Sequence, residues 1–417
     1  MLGTLIKKEI LENLTTYRFF ILTGLLFVLI IVSIIVSYGD YRLRMENYNL
    51  LRPEPNSPNV IIPPSSLSIF AKGLDANMGR LYEISHLGIG VHRSQQSVNR
   101  LFSLFTVPDM LFIIKVMLAL IAILFSFDAI TSEKENGTLK LLFASGSQRT
   151  ALLFGKLLGR FALVCIPFLL LFLAIVIVVS LLPDVQPDSY YWQRIGVILL
   201  ASAIYTFVFS SIGLFVSSLV HRSTNSMMIG LAVWVLFVFI VPQMGTTGAK
   251  ALIDVPPSER VEMQGRLAAI KAIYERIQRE RTSGEGREGR RMVQEIKEAN
   301  SQIFESYRPR LNKRIDVTKT IVRCSPSGAL MFLVTDVTNT GLHEELRLKN
   351  AMTLHLNRNF NRIVGLEKGS IEPLQYRRES LSEVVYKSIF IDALILVLFS
   401  FVFIGLAMVT FLKYDPR

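Results

Sequence analysis

The chain has 417 residues, 51% of them hydrophobic, and a mean hydropathy of +0.43. That balance belongs to a membrane protein and excludes an ordinary soluble domain. The formal charge of +12 does not make a nucleic-acid patch: Gln243 to Lys387 holds 25 Lys/Arg against 18 Asp/Glu, with no aromatic-interleaved basic motif.

Between Leu2 and Thr16, the residues Leu2, Leu5, Ile6, Ile10 and Leu14 recur at helical spacing, with Lys7, Lys8, Glu9 and Glu12 among them. This is the pattern of a helix lying at the membrane interface. Phe19 to Ser37 is long enough to cross, since ~20 apolar residues span the hydrocarbon core. It is too long for a signal peptide and no Ala-x-Ala site follows, so residues 1–38 read as an interfacial helix and an uncleaved first span.

Residues 39–109 form a first polar domain, extended through the proline-rich Pro53 to Pro64 and with mixed helical patterning from Leu67 to Leu104. Residues 110–242 hold four further spans. These are Met110 to Phe127, Leu157 to Leu182 with a kink expected at Pro167, Ile195 to Val220, and a short one from Ser226 to Val241. Ser210, Ser211, Gly213, Ser217 and Ser218 give the fourth span a face that permits close helix approach.

Residues 243–387 form a second polar domain. Pro256-Pro257-Ser258 suits a helix start, and Leu267, Ile270, Tyr274 and Ile277 follow at heptad-like spacing. Val293, Ile296, Asn300, Ile303 and Tyr307 resume it after a break at Thr282 to Gly289, which predicts an antiparallel helical hairpin; a coiled-coil stalk is the alternative. The apolar Ala329 to Val334 lies on the membrane or beneath that hairpin. Ser388 to Leu412 is the sixth span, within residues 388–417. The fold class is an all-α membrane protein of six transmembrane helices, with an N-terminal interfacial helix and two external, mainly helical polar domains.

Six spans put both termini on one side of the membrane. Lys7, Lys8, Arg18, Lys134, Lys140, Arg149, Lys156, Arg160, Arg222, Lys413 and Arg417 share that side, whereas the short opposite turn Pro183 to Gln193 carries only Asp184 and Asp188. The positive-inside rule therefore places the termini in the cytoplasm and both polar domains outside it.

The most informative stretch is the loop 128–156 between the second and third spans. Ser132 with Glu135 fits a capping box, and Glu133 and Glu135 suit the positive end of a starting helix. Gly137 allows a sharp turn before Thr138, and the apolar Leu139, Leu141, Leu142 and Phe143 need a cover. Gly155-Lys156 leads into the next span, with the lysine expected to hold that end in water. The ordered set of an acidic pair, Gly-Thr-Leu, a short apolar helix and Gly-Lys resembles the signature loop of ABC-2 type transporter permeases. Ser145-Gly146-Ser147 stands where that family has a proline.

The resemblance covers nearly the whole chain and implies a partner. No Gly-x-x-x-x-Gly-Lys-Ser/Thr occurs, and Thr150 stands where the first glycine ahead of Gly155-Lys156 would be, so this chain lacks its own ATPase machinery. It is expected to be non-catalytic and to bind no cofactor, with ATP and Mg held by a separate ATPase subunit present in two copies. The family's two six-span halves imply a second permease copy or a sister permease. Thr138 to Phe143, and the helix Leu2 to Thr16, would seat in grooves of the ATPase.

Two functions stay open: export of an amphiphilic substrate, and mechanical work on an extracytoplasmic partner protein with nothing transported. Cys165 and Cys324 make no disulfide framework, and His86 and His92 are a weak metal candidate. Two charges interrupt apolar spans, Lys115 in the second and Asp392 in the sixth, at similar shallow depth. Either both snorkel to the interface, or they pair and close an external gate.

Overall fold

The computed structural model describes residues 2–54, 57–79, 81–85, 88–91, 108–144, 148–185, 187, 189–257, 260–261, 263–265, 267, 270–271, 274, 307–363 and 367–414. Six helices among them are long and apolar enough to cross a bilayer: Tyr17–Leu50, Met110–Glu135, Arg149–Ser180, Tyr190–Leu219, Ser223–Leu252 and Phe390–Leu412, here spans 1 to 6. Spans 2 and 4 are the most buried and form the centre, with Leu118, Ala122, Tyr205 and Phe209 in one core. Gly213 lets them touch, because a Cβ there would stand 2.6 Å from the Ser126 Cβ. Spans 1, 5 and 6 turn apolar side chains such as Phe20, Ile229 and Phe401 outward, the surface a bilayer covers.

Two spans are longer than their hydrophobicity suggests. Span 1 has 34 residues, about 50 Å at ~1.5 Å per residue against a core of ~30 Å. Its projecting turns stay helical because Arg44 pairs with Asp40 one turn back and Tyr41 is buried. Span 5 continues through Pro242, where apolarity alone ends it. A π-turn at Leu236–Ile240 lies just ahead and relieves the clash of the proline ring with the carbonyl four residues back. Pro167 lies inside the unbroken helix of span 3.

The Arg149 guanidinium at the start of span 3 donates to the Leu412 carbonyl at the end of span 6, 3.0 Å away. The helix Leu2–Leu14 packs on span 3 at this same near end, where Leu5 joins the small core that holds Phe411 and Tyr414. At the far end, the two polar segments that sequence separates share one core. Val60, Ile62, Met78 and Tyr82 from the first pack with Leu348 and Met352 of the helix Leu342–Ile363 from the second. Asp75, fully buried, binds both Arg44 and Arg378 (3.1 Å for the latter) and so ties span 1 to the approach to span 6.

The helical patterning expected from Leu67 onward gives way to an antiparallel pair, β1 (Tyr82–Ser85) and β2 (Gly88–Val91), in register Tyr82 with Val91. Tyr82 and Ile84 alternate with Glu83 and Ser85, and a period of two suits a strand. Most of the expected helical hairpin, including Ile277 and Val293 to Ile303, lies outside the described residues. His92 and the Ser145-Gly146-Ser147 turn do so as well. The stretch Ala329 to Val334 forms part of the helix Pro326–Val337, buried inside the bundle between spans 4 and 6.

Candidate coupling site

Glycine spacing builds the near end. In span 3, Gly155-Lys156 and Gly159-Arg160 repeat a glycine and a cation four residues apart, so both pairs face one side. A Cβ at Gly155 would lie 2.9 Å from Leu5, and one at Gly159 would lie 2.7 Å from the Glu9 Cβ. The helix Leu2–Leu14 therefore closes directly on span 3, and Glu9 lands between the two cations. Its carboxylate accepts from the Lys156 ammonium at 3.0 Å and from the Arg160 Nε at 3.2 Å. Burial alone raises the pKa of Glu9, but the attraction of Lys156 and Arg160 outweighs it and holds the group below its usual 4.5.

The same cations hold the loop. Lys156 donates to Glu133 at 2.7 Å, and Arg160 binds Asp128, which also takes Arg18 of span 1 at 3.2 Å. Three carboxylates (Glu9, Asp128, Glu133) thus meet three cations (Arg18, Lys156, Arg160). Lys156 is only 3% exposed, so the expectation that it holds this end in water is corrected. Two carboxylates solvate it in place of water.

The capping box at Ser132 is not formed. The helix Thr131–Glu135 begins one residue earlier, with the Thr131 hydroxyl bonded to the Phe127 carbonyl. Glu135 serves another helix: it accepts from the backbone N–H (2.9 Å) and hydroxyl (2.6 Å) of Ser223, at the positive end of span 5. Lys134 donates to the Ser218 and Val220 carbonyls at the end of span 4.

Beyond the turn, Gly137 adopts a φ of 70° with open space around it, so backbone conformation alone asks for glycine. The Thr138 hydroxyl reaches back toward the Glu133 carbonyl at 3.5 Å. In the helix Thr138–Ala144, Leu139 is buried in a small core with Ile130, Leu153, Leu214 and Phe411. Leu142 is half-buried, Leu141 is 71% exposed, and Phe143 lies on the same helix. A short helix anchored by one leucine therefore offers another to the medium.

Sequence reasoning singled out Glu133 and Glu135 but missed their partners Lys156 and Ser223, and missed Glu9, Asp128 and Arg160 in the network around Lys156. The repeated Gly-cation pair was the available signal.

The structure does not bring Lys115 and Asp392 together. Asp392 is fully buried and takes a two-pronged bond from Arg323, at 2.6 and 3.0 Å. The Lys115 ammonium lies 5.9 Å from the centre of the Phe112 ring, toward the far end, as a snorkelling lysine does. Arg323 lies on the turn before the buried helix, and its planar fork matches the Asp392 carboxylate. No group of three or more His, Cys, Asp or Glu able to hold a metal occurs among the described residues.

The family profile described as "ABC-2 family transporter protein" matches residues 4–416. Over 125 residues, 30% of this chain and 45% of the other, the sequence is 30% identical to the probable ABC transporter permease protein NosY of Stutzerimonas stutzeri. The matched region spans less than half the length of that relative.

Proposed function

From the chain's membership of the ABC-2 transporter family, which makes it a membrane permease subunit of an ABC transporter, we propose an exporter half driven through the near-end site by a separate ATPase. The near end is the cytoplasmic end in this reading, as the positive charge of its short loops supports. The ATPase subunit, with ATP and Mg on it, seats on Thr138–Ala144 and on the exposed face of Leu2–Leu14, where Leu11 joins Leu141. Two ATPase copies and a second permease copy or sister permease complete the transporter. The substrate is amphiphilic and leaves the cytoplasm or the inner leaflet.

The observation that carries this is the anchored, half-exposed loop helix, joined through the turn at Gly137 to the helix Thr131–Glu135, which is wired into three spans. A push on it reaches span 3 through Glu133 and Lys156, span 4 through Lys134, and span 5 through Glu135. Magnitudes favour a buried joint. Moving a two-state element from 1:99 to 99:1 takes about 5.5 kcal/mol. A surface ion pair contributes about 0–1 kcal/mol and would yield first, whereas breaking a buried pair costs about 3–5 kcal/mol. The network therefore moves as a unit and transmits the ATPase stroke.

Replacing Leu141 and Leu142 together by Asp tests the reading. The ATPase should be lost from the purified permease while the permease still inserts. Wild-type yield of the ATPase would refute the docking assignment. The shared far-end core of Val60, Ile62, Met78 and Leu348 supports a second reading, in which one solid external body works on a partner protein with nothing transported.

A further inference from the structure

At the far end, the helix Pro326–Val337 has 12 residues, about 18 Å, too short to cross a ~30 Å hydrocarbon core. It is nevertheless buried along its length: Ala329, Leu330, Leu333, Val334 and Val337 belong to the same core as spans 2 and 4. It enters the bundle and returns to the same face, filling the space between spans 4 and 6 as a plug.

Among the described residues four ties hold it, and each involves a side chain or turn of a neighbouring span. The Arg194 guanidinium of span 4 donates to the Val337 carbonyl at the end of the plug helix. The Ser325 and Ser327 hydroxyls both donate to the Phe237 carbonyl, Ser327 at 2.6 Å. The Ser388 hydroxyl donates to Asp336 near the end of the plug helix. Arg323, on the turn just ahead of the plug, makes its two-pronged bond to Asp392 and lies 5.8 Å from the centre of the Phe332 ring.

Phe237 belongs to the π-turn of span 5, and Ser388 to the π-turn Val385–Ile389 that opens span 6. Span 2 has a third, Ile114–Leu118, where Lys115 and Val116 offer carbonyls to the Tyr205 hydroxyl (2.7 Å) and the Trp234 indole (3.2 Å). A π-turn interrupts the regular helical ladder for one turn and is a recognised place for a helix to bend.

Resting on the orientation proposed above, we propose that the Arg323–Asp392 pair is the latch that holds this plug shut at the external end of the bundle. Of the ties it alone is ionic. Asp392 is fully buried, so releasing Arg323 strands a charge, whereas the Arg323 side chain is 21% exposed and can leave toward water. The helix 307–322 ends at Arg323 and packs through Val322 and Ile321 on Gly245 and Gly248 of span 5. Movement of span 5 therefore reaches the latch through Val322 and the plug through the Phe237 carbonyl.

The test uses the full-length permease in membrane vesicles, with Cys324→Ser removing the exposed thiol and Leu330→Cys placing one on the buried plug. A membrane-impermeant maleimide outside should label this parent slowly. Arg323→Gln and Asp392→Asn should each raise the rate at least tenfold, corresponding to about 1.4 kcal/mol of lost closure. Arg323→Asp combined with Asp392→Arg should return it most of the way to the parent value. Labelling of both single variants at the parent rate would overturn the latch, as would a swap that labels as fast as they do. If Cys165, buried in span 3, also becomes reactive to a permeant maleimide in a single variant, the bundle has loosened; the swap then decides, rescue of both thiols supporting the pair and no rescue refuting it. Acceleration seen only with reagent on the opposite face would reverse the orientation and leave the latch standing.

Discussion

Lys156 shows how a residue's neighbours rewrite its chemistry. A lysine at a span end ordinarily extends to water. Here Gly155 and Gly159 admit a second helix so closely that Glu9 and Glu133 replace the water. Lys156→Met should leave two buried carboxylates facing one cation fewer, and lower the stability of the purified permease by about 3–5 kcal/mol. Leu141→Ala, on an exposed side chain, should stay within about 0.5 kcal/mol. Denaturant or thermal unfolding distinguishes the two; equal effects would mean the network carries no stability. The pH dependence has a fixed sign. Glu9 has a lowered pKa, so its contribution is complete above 4.5 and is lost as the pH falls through the lowered value. The helix Leu2–Leu14 should therefore stay docked through mildly acid pH and loosen only below the usual carboxylate range. None of this was legible from Lys156 alone, because its partners lie 147 and 23 residues away in sequence.

At the scale of elements, apolar runs located every span, and errors of extent arose where polar chemistry continued or redirected a helix. Span 1 runs on through Asp40 and Arg44, and span 5 runs through Pro242 behind its π-turn. Glu135 was legible as a capping residue, but the helix it caps begins at Ser223 rather than beside it. The turn at Gly137 was legible because the chemistry is local. Its φ of 70° suits glycine or asparagine, and other residues pay about 1–2 kcal/mol there. Gly137→Val should tilt the loop helix off its Leu139 anchor and reduce the ATPase recovered per permease, whereas Gly137→Asn should keep most of it. Equal recovery from both variants would show that the turn does not aim the helix.

Across the whole molecule, the six-span architecture and the family were legible, since hydropathy and the ordered loop motif are both written locally. The packing of the far end was not. The sequence divides the polar residues into two segments, and only the fold brings Val60 and Ile62 against Leu348 and Met352. Arg323 was hidden for the same reason: it lies in polar sequence, yet it partners a carboxylate inside span 6. The fold thus presents a charged joint at one end and a latched plug at the other, with spans 3 to 5 between them. The central claim, that an ATPase drives this molecule by gripping the loop helix, is tested most directly by a photo-crosslinking residue at Leu141, with Lys368 as the far-end control, in the assembled transporter. The account predicts an adduct with the ATPase subunit from position 141 and none from 368. An adduct from 368 and none from 141 would contradict it.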